Sequence, residues 1–171
     1  MAKSLHDMFI DELRDIYSAE VQLTRALPKL ARAASNPELK AAFEKHLEET
    51  HGQIERLDDV FESLDTSAKS RGKKCEAMEG LVSEAREIME EDLSQEAMDC
   101  ALIAAAQKAE HYEIASYGTV VAWAKAMGHA DAEKLLAETL EEEKATDALL
   151  TKMSRSINKV AGKAAHAEAA E

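Results

Sequence analysis

Apolar residues recur every three or four positions along four long stretches of this chain, and helix-breaking residues fall between those stretches. The 171 residues include only two prolines and six glycines. A repeat of this period puts one apolar stripe along a helix, whereas a β-strand alternates at every second residue. The sequence therefore predicts an all-α protein in which each stripe is buried against another helix.

The helix boundaries follow from capping and turn residues. Long helices are predicted over 4–33, 37–64, 95–127 and 130–158, with a shorter amphipathic helix over about 75–91. Ser4 is a candidate N-cap, Pro37 suits a first helical position and Gly128 suits a C-cap, whereas Pro28 predicts a kink or an early helix end. Two hairpins joined by a long crossover are typical of a ferritin-like four-helix bundle, with an irregular helical domain as the alternative.

Charge and composition exclude several classes of protein. The net charge of −13 disfavours binding to a phosphate backbone, so we expect no nucleic-acid partner. No apolar run approaches the ~20 residues that span a bilayer, and the N-terminus lacks the pattern of a signal peptide. We therefore expect a cytoplasmic protein without membrane association, with Cys75 and Cys100 reduced. Residues 1–160 form the predicted bundle, and the Ala-rich segment 161–171 is expected to be a flexible tail.

Acidic or histidine side chains interrupt each apolar stripe near its middle. The interrupting residues are Glu20 in the first long helix, Glu48 and His51 in the second, Glu110 and Glu113 in the third, and Glu143 and Asp147 in the fourth. These positions lie roughly 12 to 19 residues from their hairpin turns, so at ~1.5 Å per residue antiparallel partners meet within about one helical turn. A bundle would gather these side chains into one layer.

Several buried carboxylates in one layer repel one another and need a compensating cation. No lysine or arginine occupies these stripes near the acids, so bound metal is the simplest explanation. A Glu-x-x-His pair, such as Glu48 and His51, puts two ligands one turn apart on a helix, as in the di-metal sites of helical bundles. A set rich in oxygen with one imidazole favours iron, most simply a di-iron centre, with manganese as the alternative.

Other interpretations of these residues stay open on the sequence alone. A small rotation of a stripe would leave Glu48, Glu142 or Glu143 on a solvated face. Asp147 suits a surface ion pair as well as a metal site, and His46 lies off the predicted stripe.

Segments such as HLEETHGQIERLDDVFES, ALIAAAQKAEHYEIASYGT and LLAETLEEEKATDALLTKM closely resemble the bacterial YciF-type stress proteins of the YciE/YciF family. The resemblance extends over about residues 5–155. It implies a ferritin-like, rubrerythrin-related fold, a cytoplasmic location, a homodimer and a link to stress responses.

The resemblance also implies roles for individual residues. Glu20, Glu48, His51, Glu110, Glu113 and Glu143 match ligand positions of the wider rubrerythrin and ferritin pattern. A second Glu-x-x-His would need histidine at position 146, where this chain has Thr146, so Asp147 or Glu113 would have to replace it. The cysteine-rich electron-transfer module of rubrerythrins is missing, which implies an external reductant.

Two functions remain as hypotheses. The first is a di-iron protein that reacts with oxygen or peroxide. The second is a non-enzymatic binding or structural dimer with one metal or none. The small residues of ALIAAAQKA, over 101–109, are predicted to permit close helix approach in a homodimer.

Overall fold

The computed structural model describes residues 2–67 and 73–168, and this part of the chain forms five α-helices. They are α1 (Leu5–Ala33), α2 (Pro37–Ser63), α3 (Glu76–Glu90), α4 (Gln95–Met127) and α5 (Ala130–Glu168). Short turns join α1 to α2 and α4 to α5, so each pair is an antiparallel hairpin. Contacts of α1 with α4 and of α2 with α5 close the bundle. The predicted bundle of two hairpins with a crossover helix is confirmed.

Local capping explains where the helices begin and end. Ser4 and Asp7 form a capping box at the start of α1. Asn36 accepts hydrogen bonds from the first free N–H groups of α2, and Pro37 occupies a position where no N–H is needed. Gly128 ends α4 with a φ of 77°, a left-handed conformation that suits glycine.

One predicted helix end matches the structure and another differs from it. Helix α1 continues through Pro28 to Ala33, the end predicted for this helix, so Pro28 does not end it early. At the other end of the chain, α5 continues to Glu168, ten residues beyond the predicted end, because its alanine-rich sequence has a high helix propensity. Residues 161–168 of the expected tail belong to α5, and residues 169–171 lie outside the described part of the chain; the flexibility of the tail stays a prediction.

The crossover helix α3 packs on the seam between α1 and α4. It begins at Cys75, whose N–H donates to Ser18 Oγ at 2.9 Å and whose carbonyl accepts from Gln22 at 2.9 Å. The Cys75 Sγ atom lies 3.0 Å from the Tyr112 hydroxyl oxygen. These contacts attach the start of α3 to the bundle.

The bundle interior has two apolar regions with a polar belt between them. One region lies near the α1–α2 turn and includes Leu30, Phe43 and Ile103, and the other lies towards the opposite end and includes Phe9 and Val120. The belt holds the buried polar residues Glu20, His46, Thr50, Gln53, Glu110, Glu113, Thr139 and Glu143. None of the helices in the described residues combines the length and apolarity that a membrane span requires.

One further buried carboxylate, Asp99, lies outside the belt. It accepts hydrogen bonds from Ser35 N at 2.8 Å, Ser35 Oγ at 2.5 Å and Asn36 N at 3.0 Å. The start of α4 is therefore tied to the α1–α2 turn, and this contact fixes the two hairpins to each other at that end.

Candidate metal centre

Four buried side chains from three helices converge at the centre of the belt. They are His46 from α2, Glu110 and Glu113 from α4, and Glu143 from α5, and one potential ligand atom from each lies within 4.8 Å of those of the others. Glu20 of α1 is also fully buried in the same belt. All four long helices thus contribute a potential ligand to this part of the bundle.

Most ligand atoms of these residues have no hydrogen-bond partner in the described part of the chain. The atoms concerned are Oε2 of Glu20, Glu110 and Glu143, both carboxylate oxygens of Glu113, and both ring nitrogens of His46. Buried polar groups are nearly always paired, because an unpaired one loses its water without replacement. A cluster of unpaired acceptors pointing to one place is therefore the arrangement that a bound cation would satisfy.

His46 stands between two carboxylates. Its Nε2 lies 3.2 Å from Glu110 Oε1, although without the alignment of a hydrogen bond, and its Nδ1 lies 3.9 Å from Glu49 Oε2. The interaction with His46 lowers the pKa of the Glu49 carboxyl. A ring with one nitrogen facing the cluster and the other facing a carboxylate has the arrangement of a metal-binding histidine, in which the outer carboxylate orients the ring.

Burial raises the pKa of the three cluster glutamates and of the neighbouring Glu20. The pKa of Glu20 rises to about 8, first because the carboxyl is desolvated and then because Glu143 repels its charge. Desolvation and the same repulsion raise the pKa of Glu110 and Glu113 well above the ordinary value. Burial also raises the pKa of Glu143, while the charge of His46 opposes that rise. A bound cation would offset the repulsion that these shifts express.

Neighbouring polar residues hold two of the glutamates in place. The Tyr117 hydroxyl donates to Glu20 Oε1 at 2.5 Å. Gln53 donates through Nε2 to Glu143 Oε1 and also to Glu142 Oε2. These bonds use one oxygen of each cluster carboxylate and leave the other free.

An ion pair on the outside of α2 and α5 supports the Gln53 contact. Arg56 binds both oxygens of Glu142, at 3.0 and 2.9 Å, and donates to Thr139 Oγ1 at 2.6 Å. A two-pronged arginine–carboxylate pair has a fixed geometry, so Glu142 is positioned to receive Gln53.

The structure brings together four of the seven residues predicted as ligands, and three lie elsewhere. Glu20, Glu110, Glu113 and Glu143 share the belt. Glu48 and His51 are exposed on the outer face of α2, so the prediction that they point into the bundle is wrong. Asp147 is partly exposed, accepts from Gln107 at 2.9 Å and lies 3.3 Å from His111 Nε2, as the surface-pair interpretation required.

The error on α2 has a physical cause. The predicted stripe ran from Phe43 through Leu47 to His51, because Leu47 is apolar. The real buried face follows Leu39, Phe43, His46, Thr50, Gln53, Leu57 and Val60. Polar residues form the middle of that face, where Thr50 and Gln53 are buried with hydrogen bonds to His46 O and Glu143.

His46 was therefore missed as a candidate ligand. The signal that could have found it is the unbroken three-and-four spacing from Leu39 to Val60, which places His46 between Phe43 and the polar pair Thr50 and Gln53.

The residues present fit a transition-metal ion. Three carboxylates and one imidazole within 4.8 Å of one another come from different helices, are buried and retain free lone pairs. Oxygen donors with a single imidazole suit iron or manganese better than metals that prefer thiolates. The fully buried Glu20 provides a fourth carboxylate in the same belt.

A ferritin-like helical bundle with a buried histidine and carboxylate cluster is the class of protein that this fold and site define. The chain belongs to the DUF892 family, described as a domain of unknown function, which matches residues 4–162.

Relatives with known structures agree with this assignment. Protein YciF from Escherichia coli (strain K12) is 59% identical over 162 residues, or 95% of this chain and 96% of that protein. The crystal structure of the E. coli stress protein YciF aligns with a TM-score of 0.88 and 57% identity, over 92% of this chain and 99% of that chain. The resemblance to the YciF-type family is thereby confirmed.

Two further solved structures share the fold. YcfI from Rhodopseudomonas palustris, provisionally described as a structural protein, is 46% identical with a TM-score of 0.83, over 87% of this chain and 94% of that chain. A protein from Xanthomonas campestris pv. campestris is 20% identical with a TM-score of 0.73, over 95% of this chain and 99% of that chain. At that identity the second likeness shows the fold alone.

Proposed function

We propose that this protein is a stress-associated ferritin-like metalloprotein that binds iron, most simply as a pair of ions, at the belt cluster. The observation that carries the proposal is the convergence of unpaired, buried ligand atoms from His46, Glu110, Glu113 and Glu143. The description of its E. coli relative as a stress protein supports the stress association.

The chain's own residues divide into ligands and supports. His46 with Glu110, Glu113 and Glu143 would hold one ion, and Glu20 would contribute to a second ion beside it. Bound iron would supply the electrons that reduce dioxygen or peroxide. The polypeptide keeps the ligands dry, holds the two hairpins together around them and fixes Glu20 and Glu143 through Tyr117 and Gln53.

Metal analysis of two histidine variants tests the site. Protein produced with iron and manganese present, and purified without chelators or a histidine tag, is expected to carry metal. His46→Ala should lose the metal or bind it at least about tenfold more weakly, because even the loss of a residue that only supports a ligand lowers metal affinity by about tenfold or more. The exposed His51 provides the matched control, because His51→Ala should bind as the wild type does.

Two results would contradict the proposal. One is a wild-type protein without iron or manganese under metal-replete conditions. The other is equal metal content in the His46→Ala and His51→Ala variants.

A structural role is the second candidate, because the R. palustris relative is provisionally described in that way. The two candidates differ in turnover. A redox centre loaded with iron should consume dioxygen or hydrogen peroxide repeatedly when an external reductant is supplied, whereas a structural site should leave both oxidants unconsumed.

We also propose that the protein forms a homodimer, as the family resemblance implies. Of the small residues in 101–109, Ala105, Ala106 and Ala109 are buried inside the bundle, so only Ala101 and Ala104 are accessible to a partner. The exposed apolar side chains Leu5 and Met8, at 40% and 46% exposure, also support an intersubunit contact. Sedimentation equilibrium at micromolar concentration tests this, and a monomer would contradict it.

A further inference from the structure

An apolar cavity lies between α1, α3 and α4, on one side of the belt. Its wall consists of Leu23, Ala26, Leu27 and Leu30 from α1, Met78, Leu81, Val82 and Ala85 from α3, and Ala105, Ala106 and Ala109 from α4. Leu81 and Val82 are only half-buried, so the cavity approaches the surface where α3 crosses the bundle.

Among the residues that the structure describes, the polar members of the cavity wall are His46 and Glu110, and both belong to the metal cluster. Their Nε2 and Oε2 atoms have no hydrogen-bond partner among the described residues. The cavity therefore connects the surface region beneath α3 with one side of the proposed metal site.

The size and lining of the cavity determine which kind of molecule it can bind. About 20 Å³ is available to the centre of a water-sized molecule, which is room for one small molecule. An ordered water needs two to four polar partners, and the apolar wall offers none away from His46 and Glu110. Hydrogen peroxide needs still more hydrogen bonds than water. A small apolar molecule gives up no hydrogen bonds when it leaves water, so its transfer into this apolar space is favourable.

Small side chains create the space. Alanine occupies three wall positions of α4 and one each of α1 and α3, whereas other positions of this apolar region carry large side chains such as Leu39, Phe43 and Met153. Larger residues at these alanines would fill the cavity.

We propose that this cavity binds a small apolar gas, dioxygen in the cell, and gives it access to the His46–Glu110 side of the metal site. The use of dioxygen there rests on the proposed function. The cavity and its preference for an apolar guest do not, because they follow from the lining of α1, α3 and α4.

Xenon, an apolar atom visible by anomalous diffraction, tests the cavity directly. Metal-free crystals under xenon pressure should show a xenon atom among Leu27, Met78 and Ala106. The Ala109→Leu variant should lose that site, and Ala85→Val provides a second filling variant from the α3 side. Ala42→Leu, part-buried on α2 and outside the cavity wall, should retain the xenon. Absence of xenon from the wild-type cavity would overturn the proposal and leave the metal-binding result unaffected.

The iron-loaded protein then tests the route. Oxidation by dioxygen should slow by about tenfold or more in Ala109→Leu, while oxidation by hydrogen peroxide should change by less than about twofold. Ala42→Leu should react with both oxidants at the wild-type rate. Equal slowing with both oxidants, or no slowing with dioxygen, would overturn the route. A wild-type protein that binds xenon but no metal would contradict only the proposed function.

Discussion

Glu113→Gln is expected to stabilise the metal-free protein at neutral pH, although it removes a proposed ligand. Glu113 is 1% exposed, and neither of its carboxylate oxygens has a partner among the described residues. Burial, followed by the charges of Glu143 and Glu20, raises its pKa well above the ordinary value of 4.5. The folded metal-free chain therefore keeps this carboxyl protonated at a pH where the unfolded chain has released the proton.

The sign and size of the effect follow from that difference. The folded-state pKa is raised, so the folded state binds the extra proton, and the contribution to stability is fully present below pH 4.5 and is lost as the pH rises towards the folded-state pKa. The loss is about 1.4 kcal/mol for each pH unit between 4.5 and the folded-state pKa. Glutamine carries no charge and avoids this loss, but it buries an amide, which costs about 1–2 kcal/mol. The difference in stability between the variant and the wild type should therefore shift in favour of the variant as the pH rises above 4.5.

Urea denaturation of chelator-treated protein at pH 5.5 and 7.5 measures this effect. The free energy of unfolding of Glu113→Gln should gain on that of the wild type between pH 5.5 and pH 7.5, by about 1.4 kcal/mol for each pH unit over which the folded wild type keeps Glu113 protonated. Glu48→Gln, exposed on α2, is the matched control and should follow the wild type at both pH values. With iron or manganese present, the order should reverse, because the wild type alone retains the full ligand set. A variant less stable than the wild type at pH 7.5 without metal, or a difference independent of pH, would refute the reasoning.

Three further outcomes are expected. Tyr117→Phe removes the hydroxyl that donates to Glu20 and should lower the free energy of unfolding by about 1–2 kcal/mol in calorimetry; an unchanged value would show that the bond contributes nothing. Asp99→Ala leaves Ser35 and Asn36 without their hydrogen-bond acceptor and should lower the free energy of unfolding by about 3 kcal/mol in denaturant titrations. A decrease of less than about 1 kcal/mol would contradict this expectation. Adding manganese to the metal-free protein at about 100 times its dissociation constant should stabilise the fold by about 2.7 kcal/mol, and an unshifted melting temperature would argue against binding to the folded state.

The buried faces of α1 and α4 were predictable in detail because large apolar residues flank their acids. Glu20 lies between Ile16 and Leu23, and Glu113 is followed one turn later by Tyr117, so the buried face was unambiguous. On α2 the buried face is itself polar around His46, and apolarity alone selects the wrong side. The hydrogen bond between Gln53 and Glu143 decides the rotation of α2, and it joins residues 90 apart in the sequence.

The position of α3 could not be predicted for a similar reason. Its amphipathic pattern indicates that one face is buried, but not which groove of the bundle receives that face. The alanines at 105, 106 and 109 are small enough to suit either an intersubunit contact or an internal one. Only the docking of α3 over α1 and α4 shows that they line an internal cavity.

The belt draws its ligands from both hairpins, and neither hairpin holds enough of them to bind an ion tightly. Glu20 and His46 come from the first, and the three remaining glutamates come from the second. An ion bound by His46 and the three glutamates would act as a reversible cross-link, comparable to a disulfide that closes a long loop. Opening the bundle along this seam would require the ion to leave first. A cell short of metal would then contain a looser form of the same chain, more easily cut by proteases and removed sooner.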